Sequence, residues 1–354
     1  METAPARPRQ PVTPAGTATA IRTEGLRKVY RRGQDTLVAL EGLDLTVAQG
    51  EFFGLLGTNG AGKSTTIGML TTLVTPTAGR AWVSGHEVGA DPVGVKSRIG
   101  VVPQANTLDR ALTVLDNLAF RGRYFGMSAP AARRRALELL ERLGLAGTAG
   151  AKAHQLSGGQ ARRVMIGRAL MHVPEVLFLD EPTAGVDPRA REDLWQLIGD
   201  VHAAGQTVVL TTHHLDEAEA LCRRLAVIDH GRLLACGTPE SIKAAGGARS
   251  VITVRYDADS RAVEDAARRT PGGPHEIVVD GPTVQVRTTH PDGVLGHLVR
   301  AGGAAGLTVR DATTTPPSLR TAFLTLTGHD YPVSSTHLTL PTKRIVEVSQ
   351  SAIT

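Results

Sequence analysis

Aromatic residues make up only 3% of the 354-residue chain, which leaves few rings for stacking on nucleic-acid bases. Cysteine is scarcer still. Cys222 and Cys236 are the only two, and they fit neither a metal-ligand spacing nor a disulfide framework, as expected of a reducing cytosol. No apolar run reaches the roughly 18 residues of a membrane-spanning helix. The first residues lack the apolar stretch of about 7–15 residues that marks a signal peptide. The expectation is a soluble chain, whose work at a membrane needs a partner. What is present is globular: 41% hydrophobic and 21% charged residues, enough to bury a core. The length suits two domains better than one. A net charge of +5 permits an anionic partner without arguing for one.

The most informative stretch is Gly57-Thr58-Asn59-Gly60-Ala61-Gly62-Lys63-Ser64-Thr65, which fits the phosphate-binding pattern G-x-x-x-x-G-K-[ST]. A short apolar run, Phe52-Phe53-Gly54-Leu55-Leu56, precedes it and reads as a buried strand; Thr66–Leu70 can continue it as a helix. Strand, glycine loop and helix in that order are the context the motif needs. Glycines let the backbone wrap closely round an anion, and the exposed N–H groups of a helix start favour phosphate. In that geometry Lys63 reaches the terminal phosphates and Ser64 offers its hydroxyl to Mg²⁺.

Further along, polar groups recur at the tips of predicted strands. Ile99–Gln104 ends in Gln104, an amide that could bind Mg²⁺ or a water, or simply be an exposed loop side chain. Val176–Leu179 is an apolar strand tipped by Asp180 and Glu181, where ligands bind in open α/β sheets. Asp180 suits Mg²⁺, directly or through water; Glu181 suits polarising a water that attacks the γ-phosphate. Pro182 makes a plain helix cap a poorer reading of that pair. Thr207–Thr212 is a strand tipped by His213 and His214; with no third ligand at suitable spacing they do not form a metal site, and His213 could instead hydrogen-bond a γ-phosphate. Leu156-Ser157-Gly158-Gly159-Gln160 precedes a helical pattern, a second helix start built to face an anion. Tyr30, at a strand end upstream, could stack on an adenine ring, but taken by itself such a tyrosine is more often a half-buried strand residue. Thr113 caps a predicted helix 114–124, and Ser128 a second with Pro130 in its first turn; the Arg133-Arg134-Arg135 run there is a solvated face.

Together these motifs resemble the ATP-binding subunit of an ABC transporter over residues 21–240. Gly57–Thr65 matches the Walker A loop, Gln104 the Q-loop glutamine and Leu156–Gln160 the LSGGQ signature. Val176–Asp180 with Glu181 matches Walker B and the catalytic base, Ala184–Asp187 the D-loop, and His213 the switch histidine. Tyr30 takes the adenine-stacking place. Thr58 stands where the family usually has proline, and His214 where tyrosine is frequent. The resemblance implies a P-loop NTPase α/β core of RecA type, with an antiparallel β subdomain and a helical subdomain over about 105–172. It implies ATP and Mg²⁺, with Ser64, Gln104 and Asp180 at the metal and Glu181 and His213 catalytic. It also implies a homodimer with ATP sandwiched between one copy's Walker A and the other's signature, bound to a separate integral-membrane permease at the cytoplasmic face of the membrane.

From about Ser250 the pattern restarts as β-α-β-β-α-β, the order of a ferredoxin-like α+β unit, expected over 250–329 after a nucleotide-binding domain of 21–245. A last short helix stops at Gly328. The phrase Ser318-Leu319, Phe323-Leu324 and Leu326–His329 resembles the end of daunorubicin-resistance-type ATP-binding subunits, a bacterial drug-exporter branch, although Arg320 and Thr321 stand where that branch usually has acidic residues. The resemblance implies efflux of a hydrophobic drug or antibiotic. An importer, or a non-transport ABC ATPase acting on nucleic acid or ribosomes, is the alternative; few aromatics and a single copy of each motif argue against nucleic acid. Residues 1–20, with Pro5, Pro8, Pro11 and Pro14, and residues 330–354 are expected to be disordered.

Overall fold

A computed structural model describes residues 18–33, 35–270 and 276–328. Most of the expected N-terminal arm and all of the expected tail lie outside them; Thr19 and Ala20 already belong to the first strand. The chain begins with a long antiparallel hairpin, β1 (Thr19–Arg32) and β2 (Asp35–Ala48). Next come β3 (Phe52–Leu56), α1 (Lys63–Leu70), β4 (Ala78–Val83), β5 (His86–Glu87), α2 (Pro92–Arg98) and β6 (Ile99–Val102). Three helices follow: α3 (Val114–Tyr124), α4 (Ala129–Arg142) and α5 (Gly158–Leu170). Then strands and helices alternate through β7 (Val176–Asp180), α6 (Pro188–Ala203), β8 (Thr207–Thr212), α7 (Leu215–Leu221), β9 (Arg224–Asp229), β10 (Arg232–Gly237) and α8 (Pro239–Ala245).

The main sheet runs β10-β9-β3-β8-β7-β6, parallel except for β10 at its edge. Its central strands are buried along nearly their whole length, as strands covered on both faces must be. Alternation sends side chains to two different cores. Phe53, Leu55, Phe178 and Val209 join Ile21, Leu26, Leu40 and Leu43 from the second sheet, β2-β1-β4-β5. Phe52, Leu177, Leu179, Val208 and Leu210 join Val114, Leu118, Leu140, Val164 and Ile166 from the helices. The carboxyl ends of β3, β6, β7 and β8 therefore open at one edge of the sheet, where the predicted site residues sit. Thr113 and Ser128 cap α3 and α4 as their sequences predict, each accepting from the third backbone N–H.

The remaining elements are β11 (Ser250–Tyr256), α9 (Glu264–Arg268), β12 (Glu276–Asp280), β13 (Thr283–Thr288), α10 (Val294–Ala304), β14 (Val309–Thr315) and α11 (Leu319–Thr327). The antiparallel order β12-β13-β11-β14 is the ferredoxin-like arrangement. It has its own core of Ile252, Val254, Tyr256, Val284, Val286, Val294 and Leu298, and the Tyr256 hydroxyl donates to Leu298 O at 2.9 Å. Helix α11 does not join that core. Its stripe of Leu319, Ala322 and Phe323 buries with Ile242 and Ala248 in the core under the main sheet, against α7, α8 and β10. The contact at α8 is close: a Cβ on Gly246 would lie 2.5 Å from Ala322 Cα. Phe323→Ala should therefore destabilise the ATP-binding core itself, by about 3–5 kcal/mol, in urea unfolding of the full chain. A change near zero would mean that this helix is not docked.

Candidate nucleotide-binding site

The phosphate loop is shaped by what surrounds its backbone. Gly62, the cap of α1, has φ +109°, a conformation that L side chains rarely adopt. A Cβ there would also lie 2.5 Å from Ala39 O of β2. A Cβ on Gly57 would lie 2.3 Å from Ile228 O of β9. The loop is thus pinned between two strands, and Gly231 N donates to Ala61 O at 3.0 Å from the β9–β10 turn. Lys63 is buried, its Nζ donating to Gly57 O (2.9 Å) and Thr58 O (3.1 Å) and lying 3.4 Å from Glu181 Oε1. Burial pushes the ammonium's pKa down, and Glu181 and Asp180 oppose that. Asn59, Gly60 and Ser64 are exposed beside it.

The two carboxylates at the tip of β7 play different parts. Asp180 Oδ1 accepts from Ser64 Oγ at 3.1 Å and from Thr211 Oγ1 at 2.5 Å. Glu181 is buried, with φ +46° immediately before Pro182, a backbone state that costs a β-carbon residue about 1–3 kcal/mol. Thr211 of β8 holds it there: Glu181 N donates to Thr211 O (3.1 Å) and to its Oγ1 (3.0 Å). The strain aims the carboxylate back across the sheet edge. Its Oε2 accepts from Gln104 Nε2 at 3.2 Å and lies 3.2 Å from His213 Nδ1. That last contact is close enough for His213 to act on the carboxylate, though it falls short of full hydrogen-bond geometry. His213 holds the Glu181 carboxyl below its usual range; burial opposes this and Lys63 adds to it. The His213 and His214 rings are 4.2 Å apart. Burial, with the charges of His213 and Arg191, lowers His214 from 6.5 to about 4.

Lys63, Ser64, Gln104, Asp180, Glu181 and His213 are therefore brought together. The signature residues are not. Ser157 and Gln160 cap α5 reciprocally, Gln160 N donating to Ser157 Oγ (3.2 Å) and Ser157 N to Gln160 Oε1 (3.0 Å), and neither bonds to the phosphate loop. Gly158 is exposed at that helix start. Tyr30 lies on β1, 39% exposed, with Lys28 Nζ 5.0 Å above its ring. Two contributors escape sequence reasoning. Thr211 reads as one more β-branched strand residue. Arg162, the first of an Arg-Arg pair in the helical stretch after the signature, is buried and donates to Pro103 O (2.7 Å) and Gln104 O (2.9 Å). It clamps the Gln104 loop to the signature helix, and only its place on the inward face of α5 could have signalled this.

The sequence pattern of the ABC transporter family matches residues 40–184. The daunorubicin/doxorubicin resistance ATP-binding protein of Streptomyces peucetius is 41% identical over 311 residues, covering 88% of this chain and 93% of that one. The chain belongs to the ABC transporter family. The Nod factor export ATP-binding protein I of Rhizobium sp. strain N33 is also 41% identical, over 88% of this chain and 98% of its own length. Among solved structures, an ATP-binding cassette dimer in a post-hydrolysis state with ADP and Pi matches 62% of this chain and 98% of its own, at 30% identity and a TM-score of 0.58. This ABC protein is thus an ATP-binding, ATP-hydrolysing subunit. No helix among its described residues is long and apolar enough to cross a membrane.

Two measurements follow from the geometry. Arg162→Met keeps an unbranched stem but has no donor for either carbonyl, so it should cost about 1–3 kcal/mol and speed hydrogen exchange at residues 104–107; unchanged exchange would exclude the clamp. His214 binds its proton less readily folded than unfolded, so its stabilising contribution is present above pH 6.5 and lost as pH falls towards about 4. Urea unfolding of His214→Gln should show a flatter loss of stability across that window than the parent, and parallel profiles would contradict the burial of a neutral imidazole.

Proposed function

We propose that this chain powers an ABC exporter that carries a hydrophobic drug or antibiotic through a separate membrane permease. The observation that carries the ATPase part is the convergence of Lys63, Ser64, Asp180, Glu181, Gln104 and His213 at one sheet edge. The export direction is supported by the names of the relatives, which confer daunorubicin, doxorubicin or linearmycin resistance or export Nod factor. We read residues 21–245 as the nucleotide-binding domain, with its helical subdomain over about 105–172, and 250–329 as an accessory domain.

In this reading Lys63 exchanges the carbonyls of Gly57 and Thr58 for the β- and γ-phosphate oxygens of ATP, and the N–H groups of residues 59–65 cradle the rest. Ser64 Oγ and the Asp180 carboxylate, with Gln104 nearby, form an oxygen set suited to Mg²⁺. The metal would neutralise charge on the β- and γ-phosphates. Glu181, kept ionised by His213 and Lys63, orients a water on the γ-phosphate and accepts its proton. With a lowered pKa it acts more by orienting and polarising than as a strong base. His213 hydrogen-bonds the γ-phosphate, and Tyr30 stacks on the adenine.

The signature residues Ser157, Gly158, Gly159 and Gln160 cannot serve the same chain's loop, yet they present an exposed helix start. They complete the site of a second copy in a two-fold dimer. Phe120 and Tyr124, one turn apart on α3 and mostly exposed, offer apolar surface to the permease. The subunit is then peripheral, on the cytoplasmic face of the membrane. Glu181→Gln should keep ATP binding, lower turnover roughly hundredfold or more, and accumulate an ATP-bound dimer. Normal hydrolysis in that variant would remove Glu181 from its role. Co-purification of the trapped variant from its own cells in mild detergent should recover an integral-membrane partner; ribosomes or nucleic acid in its place would overturn transport.

A further inference from the structure

Glu217 is a carboxylate that the nucleotide site does not use. It lies in the first turn of α7, four residues after His213, and is completely buried. Its Oε1 accepts two hydrogen bonds, from Thr183 Oγ1 at 3.0 Å and from Trp195 Nε1 at 3.0 Å. Thr183, also completely buried, belongs to the turn that begins at Glu181, in which Ala184 N donates to Glu181 O and Val186 N to Thr183 O. That turn ends at Asp187, which caps α6 through Ala190 N at 3.0 Å. Trp195 lies two turns further along the same helix. One oxygen atom of α7 therefore ties the turn after Glu181 to the helix that follows Asp187.

The other oxygen is the second observation. Glu217 Oε2 is buried and makes no contact of full hydrogen-bond geometry, although the Thr212 side chain, next to His213, lies close enough to act on the carboxyl, and Nε of Arg191, on α6, is buried without a partner. The Arg191 charge acts on both Glu217 and His214. A buried carboxylate is costly unless its oxygens are satisfied, and apolar packing would fill this space at lower cost. The retained carboxyl group, bonded to Thr183 and Trp195 and acted on by Thr212, fits a group kept to hold α7 against the turn after Glu181 and against α6.

We propose that Glu217 is a positioning residue for ATP hydrolysis: through Thr183 and Trp195 it fixes the Glu181–Asp187 segment to the start of α7, and so sets the placement of Glu181 against His213. The dimer readout below rests on the two-copy arrangement proposed above; the turnover readout does not. Removing the carboxylate leaves Lys63, Ser64 and Asp180 in place, so nucleotide binding is spared while the chemical step and ATP-driven closure suffer.

The test compares Glu217→Ala, Glu217→Gln, Thr183→Val and the Glu217→Ala/Thr183→Val double variant in the full chain. For each, kcat and KM for ATP, fluorescent-ATP affinity and the folded fraction are measured. Glu217→Ala should lower kcat about tenfold, with nucleotide affinity within about twofold. Glu217→Gln, which keeps an acceptor for both donors, should recover most of kcat. The double variant should lose little more than either single one, because both break one contact. In the Glu181→Gln background, Glu217→Ala should raise the ATP concentration needed for dimer formation. Wild-type kcat per folded molecule in Glu217→Ala, or fully additive losses in the double variant, would overturn the proposal. If Glu181→Gln alone fails to dimerise with ATP, the two-copy reading falls, and kcat and the Thr183 coupling still decide on Glu217. If Glu217→Ala does not fold, Thr183→Val and Glu217→Gln decide: a lowered kcat in the first beside a preserved one in the second supports the role, and unchanged turnover in the first ends it.

Discussion

Two opposite charges are taken out of water at the centre of this site. Lys63 and Glu181 lie 3.4 Å apart, both almost fully buried. Removing either partner would leave the other stranded, which is strongly unfavourable in a poorly polarisable interior. Nearly every neighbouring feature serves that pair. Glycines at 57 and 62 let the backbone bend tightly enough to put the ammonium beside its own loop carbonyls. Thr211 secures the left-handed residue that turns the carboxylate inward. Gln104 and His213 sit on its second oxygen. The parallel sheet matters because it delivers β3, β6, β7 and β8 to one edge in register, so that four chain segments far apart in sequence meet within hydrogen-bonding distance.

The pair is also an arrangement that a polyphosphate can replace. Lys63 spends its donors on Gly57 and Thr58 carbonyls, which are modest acceptors compared with phosphate oxygens. Ser64 and Asp180 bond to each other, although both are oxygen donors of the kind that hard cations prefer. The site is thus satisfied largely by its own groups, in a way that keeps them placed. Arg162 extends this order outward: by holding the carbonyls of Pro103 and Gln104 it makes the signature helix and the Gln104 loop move as one piece.

Much of this was legible in the sequence, for identifiable reasons. The glycine loop with its flanks, the apolar strands tipped by Asp180–Glu181 and His213, and the caps at Thr113, Ser128 and Ser157 are local signals, and each lies where expected. The β-α-β-β-α-β order of the last unit likewise reached the sheet order it implies. What escaped depends on contacts across the chain. Thr211, Arg162 and Glu217 look ordinary in sequence, and only the packing of one strand or helix against another gives them partners. Helices α2, α6, α7 and α8 carry short or mixed apolar patterns and take their form from the sheet they cover. The left-handed backbone at Glu181 is dictated by a neighbour on β8, which no reading of residues 176–182 alone contains.

The docking of α11 changes what kind of appendage the ferredoxin-like unit is. The chain leaves the ATP-binding core after α8 and re-enters it at Leu319, so the unit is a loop closed at both feet on the same body. It is not a bead on a string. A body held at two points can rock about the line joining them but cannot swing free, and its rocking is felt first at its footings. One of these, α11, rests on α7, the helix that begins immediately after His213 and His214. Load placed on the distal unit is thereby delivered to the helix that follows His213.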